Sequence, residues 1–342
     1  MSELLKLKDL PFVSVCTPTY NRRPFIPYTI QCMQQQDYPQ NKIEWIIIDD
    51  GTDLIEDLVI NIPYVKYFKY TEKKTLGEKR NLMHEKSEGE ILVYFDDDDY
   101  YPPCRISHAV ETLIKNPNAL CCGSSEMHIY FKHIKKLYKF GPYGPNHATA
   151  ATFAFRRKLL NDTSYEDYAC LGEEKSFLKN YTIPFAQLET LKTILVFSHE
   201  HNSFDKKTLL DSPNEYVKES QYKVEDFVKE PEILDFFLDD IDELLKKYEP
   251  GNPKNKKDVI AYMNIVKKIR EESTSQMKKR ELMIQQDANN HITNMRKHFE
   301  MSIANLTKEN IQMKDKIEYL EKKISELIKV SIQTKKANNM SP

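Results

Sequence analysis

The sequence predicts an α/β domain with a largely parallel sheet, followed by an all-α C-terminal region that ends in a coiled coil. Three observations carry this expectation. Short apolar, β-branched runs alternate with helical stretches through the first half of the chain, the pattern of a sheet covered by helices. Polar and acidic residues punctuate the ends of those runs, where open α/β sheets place their functional groups. Near the C terminus the strand pattern gives way to a regular Ile/Leu repeat, which belongs to a helix and not to a strand.

The elements follow in order. Phe12–Thr17 is an apolar strand, and Phe25–Gln36 has helical spacing. Glu44–Ile48 is a second strand, ending on Asp49-Asp50-Gly51, and Val65–Tyr70 is a third. Gly77–Glu88 reads as a helix with Leu82 and Met83 on its inner face. Ile91–Phe95 is a strand that runs into Asp96-Asp97-Asp98-Asp99, and Thr152–Phe155 is a later one. After Phe204 the composition turns acidic and apolar. Phe227, Leu234, Phe237, Leu238, Ile241, Leu244 and Leu245 fall at near-helical spacing, as in amphipathic helices packed on the preceding domain. Pro250-Gly251-Asn252-Pro253 is a breaker cluster and is expected to act as a hinge. The resulting organisation is an α/β domain over 1–208, a helical extension over 209–250, a long helix or coiled coil over 255–333 and a disordered tail over 334–342.

In the terminal repeat, Ile303, Asn310, Ile317 and Ile324 share one heptad position and Leu306, Met313, Leu320 and Leu327 the other. Ile292 and Phe299 continue the second position upstream, while Asn289 and Arg296 weaken the first. Ile at a with Leu at d favours a parallel two-stranded coil, and a buried Asn at a fixes register. The expected partner is therefore a second copy of the chain; the alternative is one amphipathic helix folded back on the protein.

Composition narrows the function classes. The chain has 342 residues with a formal net charge of −2, so no electrostatic footprint marks nucleic acid as a partner. No stretch approaches the roughly 20 apolar residues that span a bilayer, and the N terminus has no export-signal pattern. The six cysteines, Cys16, Cys32, Cys104, Cys121, Cys122 and Cys170, form no CxxC pair and are expected to be reduced. The expected location is the cytoplasm, or a host cytoplasm or virion if the source is viral.

The chemistry concentrates at Asp96–Asp99. Like charges this close raise one another's pKa unless a cation neutralises them. A hard divalent ion, Mg²⁺ or Mn²⁺, suits oxygen ligands and keeps positions open for diphosphate oxygens. At this point the sequence resembles a family. Leu76-Gly77-Glu78-Lys79-Arg80-Asn81, Glu88-Gly89-Glu90-Ile91 and Phe95 to Asp99 look like the central block of family-2 glycosyltransferases. So do the opening Val13-Ser14-Val15-Cys16-Thr17-Pro18-Thr19-Tyr20-Asn21-Arg22 and the block Ile46-Ile47-Ile48-Asp49-Asp50-Gly51, in the family's order.

The resemblance implies a GT-A fold, Rossmann-like with a mostly parallel sheet flanked by helices. It implies a metal-dependent enzyme that moves a sugar from a nucleotide sugar, UDP being favoured, to an acceptor hydroxyl with inversion. The acceptor class, whether glycan, protein or lipid, stays open. It also implies site roles. Pro18, Tyr20 and Asn21 lie at the nucleotide, Asp50 at the base, Arg80 near the sugar donor, and Asp96 and Asp97 along it. Asp98 is placed on the metal, with Asp96 and His199 as further ligands; the frame Asp97/Asp99 is the alternative reading of the DxD motif. Leu171 to Leu178 resembles the family's acidic motif, in which the base is usually an aspartate. Here Glu174 stands in that place, with Glu173 beside it. Ser198-His199-Glu200-His201-Asn202 resembles the family's late His-x-x-Asn element, and His147-Ala148-Thr149 could line the sugar or acceptor pocket. Two other readings remain at this point: a sugar nucleotidyltransferase, disfavoured by the absence of glycine from Thr17–Asn21, and a degenerate domain heading a coiled-coil scaffold.

Overall fold

The computed structural model describes residues 10–211 and 214–338. Its elements are β1 (Val13–Thr19), α1 (Ile26–Gln34), β2 (Ile43–Asp49), α2 (Glu56–Val59), β3 (Val65–Lys69), α3 (Leu76–Lys86), β4 (Ile91–Tyr94), α4 (Arg105–Lys115), β5 (Cys121–Gly123), β6 (Met127–Phe131), β7 (Lys136–Phe140), β8 (Ala154–Arg156), α5 (Glu174–Phe177), β9 (Phe185–Gln187), β10 (Val196–Ser198), β11 (Val217–Glu219), α6 (Val224–Phe227), α7 (Pro231–Asp235), α8 (Ile241–Lys247) and α9 (Lys257–Asn338).

Strand side chains alternate between two apolar cores, one on each face of the main sheet. Val15, Trp45, Ile47 and Val93 enter one cluster; Cys16, Ile46, Ile48 and Leu92 enter the other. A strand buried on both faces reads as an unbroken apolar run, which is why β2 and β4 were legible. The main sheet has the order β3-β2-β1-β4-β8-β5-β9. Strands β1 to β4 pair in parallel, but β8 lies antiparallel between β4 and β5. The β5–β9 pairing is parallel again, so the sheet is mostly parallel, as expected, with β8 as its antiparallel strand. The chain reaches β8 after the antiparallel β6–β7 pair rather than through a crossover helix, so it can enter from the opposite end. A second sheet, ordered β10-β6-β7-β11, was not anticipated. Its strand β11 lies within the span expected to be purely helical.

That span still contributes helices α6, α7 and α8, but with a shifted face. Ile233, Phe236, Phe237, Ile241 and Leu245 are buried, while Leu244 is exposed. A π-helical turn over Phe236–Asp240 separates α7 from α8, and its extra residue per turn breaks the 3.6-residue period used to choose the face. Phe236 stacks on Tyr28 of α1 at 3.6 Å between ring centroids, so the extension shares the domain's core.

The breaker cluster is not a free hinge. Residues through Asn264 form one compact unit and Ile265 onward another. Asn21 Nδ2 donates to the Pro250 carbonyl at 3.0 Å, and the Tyr248 hydroxyl donates to Asp53 at 2.8 Å. A Cβ on Gly251 would sit 2.7 Å from the Asn21 carbonyl oxygen, so only glycine allows this close approach. In the second unit α9 is one continuous helix, and Ile303, Leu306, Ile317, Leu320, Ile324 and Leu327 are exposed along it. Helix persists to Asn338 where a tail was expected from 334; residues 339–342 lie outside the described residues.

Candidate active site

The carboxyl ends of β1, β2 and β4 meet at one edge. Thr19 pairs with Asp49, and the Phe95 amide donates to the Cys16 carbonyl. The loops that follow these ends, with α3, the loop before α5 and the start of α9, enclose a cleft of about 310 Å³. Of the expected site residues, Pro18, Tyr20, Arg80, Asp96, Asp97, Asp98, Glu173 and Glu174 line it.

The four aspartates do not behave alike. Burial pushes Asp97 up to about 7, against the nearby Arg22. Asp99 is pushed well above the carboxylate range by burial and by Asp98, and its oxygen accepts the Phe197 amide at 3.2 Å. Asp96 is also raised, chiefly by burial. Asp98 is the exception. Burial opposes its charge, yet Arg22 and His199 hold it well below the usual range. The Arg22 guanidinium lies 3.0 Å from Asp98 and 3.5 Å from Asp97, and it also donates to the His201 carbonyl at 2.7 Å. Asp98 is thus the one of the four whose ionised form its surroundings favour.

His199 Nε2 lies 3.2 Å from Asp98 Oδ2, while Asn202 accepts the His199 amide proton at 2.8 Å. Burial lowers the imidazole to about 3, so the ring is neutral, the form in which histidine ligates metals. Asp96 Oδ1 is buried with no hydrogen-bond partner. Among the described residues no group of three or more His, Cys, Asp or Glu side chains could hold a metal by itself. Asp98 and the unpartnered Asp96 oxygen are the kind of oxygen groups a hard divalent ion takes, while the His199 ring nitrogens already meet the His201 amide at 3.2 Å and Asn202 Nδ2 at 2.8 Å. Such ions are commonly held by one or two carboxylates and completed by water and phosphate oxygens.

The two glutamates are separated by their partners. Glu173 Oε1 accepts from Arg80 Nε at 2.8 Å, and Arg80 lies over the Tyr94 ring and 4.0 Å from Asp96. Glu174 makes no ion pair among the described residues and accepts only the Ala150 amide, at 3.1 Å. Burial and the adjacent Glu173 push its carboxyl up to about 7. A carboxylate poised near neutrality is what proton abstraction needs.

Two of the residues expected at the nucleotide also hold loops in place. Asn21, with φ of +53°, accepts the Thr52 and Asp53 amides at 2.8 and 2.9 Å, which fixes the loop after β2. Asp50 accepts from the Lys74 amide and from Lys79 Nζ, both within 2.7 Å. Neither lines the cleft; they shape the loops that do.

Sequence reasoning missed Arg22 as a partner of Asp98. It also missed the lysines that line the cleft, among them Lys73, Lys206 and Lys256. Lys256 is buried and donates to Ser203 Oγ at 2.7 Å; burial, with Arg22 nearby, pushes its ammonium well below the ordinary lysine range. Lysine-rich stretches such as Lys254–Lys257 read as solvated surface, and no local signal separates the one lysine that folds inward.

The glycosyl transferase family 2 model matches residues 14–180. Residues 14–180 are a family-2 glycosyltransferase domain. The fold is accordingly of the GT-A type, extended by C-terminal helices. Two uncharacterized glycosyltransferases of Haemophilus influenzae are similar to the chain. One is 26% identical over 213 residues, covering 57% of this chain and 79% of that protein; the other is 28% identical over 109 residues, covering 31% and 36%. The poly(ribitol-phosphate) beta-N-acetylglucosaminyltransferase TarS of Staphylococcus aureus is 30% identical over 92 residues, which cover 25% of this chain and 16% of TarS. A crystal structure of TarS residues 1–349 is similar with a TM-score of 0.42 at 21% identity, covering 55% of this chain and 61% of that one. The family-2 domain thus aligns with only part of several relatives, including 16% of TarS and 36% of one Haemophilus protein. No described helix is long and apolar enough to cross a membrane.

Proposed function

We propose that the protein is a metal-dependent glycosyltransferase that moves a sugar from a nucleoside-diphosphate sugar, UDP being favoured, to an acceptor hydroxyl with inversion. The observation that carries this reading is the content of one cleft: an ionised Asp98, several cations and a Glu174 free of any described ion pair.

The nucleotide lies along Pro18 and Tyr20, and its diphosphate faces Arg22, Lys206 and Lys256, which are placed to oppose its charge. A divalent ion held by Asp98 and Asp96, with His199 beside it, would supply Lewis-acid stabilisation of the diphosphate leaving group. Arg80 occupies Glu173 in an ion pair, which leaves Glu174 to accept the proton of the acceptor hydroxyl. The acceptor oxygen forms its bond to the anomeric carbon as the bond from that carbon to the diphosphate oxygen breaks. The bonding electrons leave with the diphosphate, where the lysines stabilise them. Attack opposite the leaving group inverts the centre; the β-linked product in the TarS name supports this reading.

We further propose that α9 joins two chains through the Ile303–Leu327 seam. Its exposed apolar side chains favour a second helix, and Asn310 favours a two-stranded register.

A screen of nucleotide sugars for hydrolysis with and without Mn²⁺ tests the catalytic proposal. Release of nucleoside diphosphate from one donor, dependent on the ion and lost in Asp98→Asn, is the expected result. A chain that neither binds nor cleaves any nucleotide sugar is a scaffold and refutes it.

A further inference from the structure

Four aromatic side chains outside the cleft form a continuous row. The rings of Tyr181 and His147 lie 5.2 Å apart, His147 and Tyr143 4.9 Å, and Tyr143 and Tyr216 5.2 Å. Burial of large rings is the norm in a core, yet Tyr143 is 46% exposed and Tyr216 40%. The row is held in place from beneath. Ser125 Oγ accepts the Tyr143 amide at 2.8 Å, and Gln187 Nε2 donates to the Pro145 and His147 carbonyls at 2.7 and 2.9 Å. Asn146 Nδ2 ties the same loop to the Tyr181 carbonyl at 3.2 Å.

The middle of the row lies on a loop that leads to the candidate base. The loop that carries Tyr143 and His147 continues into Thr149 and Ala150, which line the cleft, and the Ala150 amide is the group that donates to Glu174. Tyr181 is close enough to Glu174 to feel its charge. A ligand lying along the row therefore brings its end toward the carboxylate that would take its proton.

We propose that Tyr143, His147, Tyr181 and Tyr216 form an acceptor subsite for a neutral carbohydrate chain. This deepens the glycosyltransferase reading and rests on it. A pyranose ring has one face of C–H groups and a rim of hydroxyls. Its C–H face stacks on the electron-rich face of an aromatic ring, and its rim suits a surface where amides and hydroxyls lie between the rings. A lipid chain would need contiguous apolar surface, which the exposed Asn146 and Gln187 interrupt. An anionic polymer would need cations, and none of the four side chains carries a fixed charge.

The test uses the full chain and an array of immobilised neutral mono- to hexasaccharides, with nucleotide-sugar hydrolysis measured in parallel. The wild type retains at least one glycan series, more strongly as the oligomer lengthens. Tyr143→Ala/Tyr216→Ala loses that retention about tenfold or more with donor hydrolysis unchanged, and Tyr143→Phe/Tyr216→Phe keeps both. Both side chains are exposed, so these variants should fold, and unchanged hydrolysis confirms it. If the wild type retains no arrayed glycan, or the alanine variant retains it undiminished, the subsite is refuted. Donor hydrolysis without glycan retention refutes the subsite alone; retention without hydrolysis of any donor leaves a glycan site and refutes the transferase.

Discussion

Replacing Glu174 by Gln should remove activity and at the same time stabilise the protein above neutral pH. The carboxyl stands at about 7 in the folded chain against an ordinary 4.5, because burial and Glu173 disfavour its charged form. Between those values the folded state holds a proton that the unfolded chain has released. The stability this group provides is therefore complete below pH 4.5 and is lost as pH rises through 7. A rise from 4.5 to about 7 at about 1.36 kcal/mol per pH unit sets a ceiling of about 3.4 kcal/mol, net of the Ala150 hydrogen bond to the charged form. Gln never ionises and escapes the loss, so Glu174→Gln should melt higher than wild type at pH 8 and equally at pH 4. Its turnover should fall by roughly a hundred- to ten-thousand-fold with little change in nucleotide affinity. The wild-type kcat/KM should rise with pH to a plateau beyond about pH 7, a limb absent from the variant. Thermal melts at the two pH values and a pH–rate profile measure all of this. Equal melting at pH 8, with turnover retained, would show that Glu174 is neither the strained carboxylate nor the base; loss confined to Glu173→Gln would move the role to its neighbour.

Asp98→Asn should abolish turnover and weaken nucleoside diphosphate binding. Because Arg22 then loses its closest carboxylate, it should also lower stability by about 1–3 kcal/mol, read by denaturant titration; near-normal activity at low Mn²⁺ would refute the site. Lys256→Met should weaken UDP binding about ten- to a hundredfold by calorimetry, as expected for a lost charge-assisted hydrogen bond; unchanged affinity would remove Lys256 from the diphosphate site. By the same reasoning, a chain ending at Tyr248 should fail to bind the donor, whereas one ending after Asn264 should bind it. Light scattering should find the full chain dimeric at micromolar concentration, and Asn310→Ile should raise its melting temperature while admitting trimers; a monomeric full chain would refute the coiled coil.

Local rules were enough for β1 to β4, for α1 and α3, and for the acidic turn. The apolar run Ile91–Tyr94 ends directly on Asp96–Asp99, and side-chain period with carboxyl-end punctuation places that cluster in any α/β sheet. The helix Leu76–Lys86 starts on a capping box between Thr75 and Glu78, again a local device. Of the short strands β5 to β11, each three to five residues long, only β8 was expected; the others carry too little period to be read and exist because a neighbouring edge was available. The π turn at Phe236–Asp240 shifted a helical face that an unbroken period had misplaced.

The sequence by itself determined which residues could carry chemistry: the aspartate turn, the adjacent glutamates, Arg80 and the heptad seam. Only the tertiary structure decided how they divide the work. It placed Arg22 on Asp98, so that the ionised form of that carboxylate is favoured, and Arg80 on Glu173, so that Glu174 has no ion pair among the described residues. It tied Asn21 to the Pro250 carbonyl, and it drew Lys256 into the cleft. The physical reason is common to all of these. Charge and proton affinity in a buried site depend on neighbours a few ångströms away, often contributed by residues more than a hundred positions distant, and no local pattern in a chain encodes that distance.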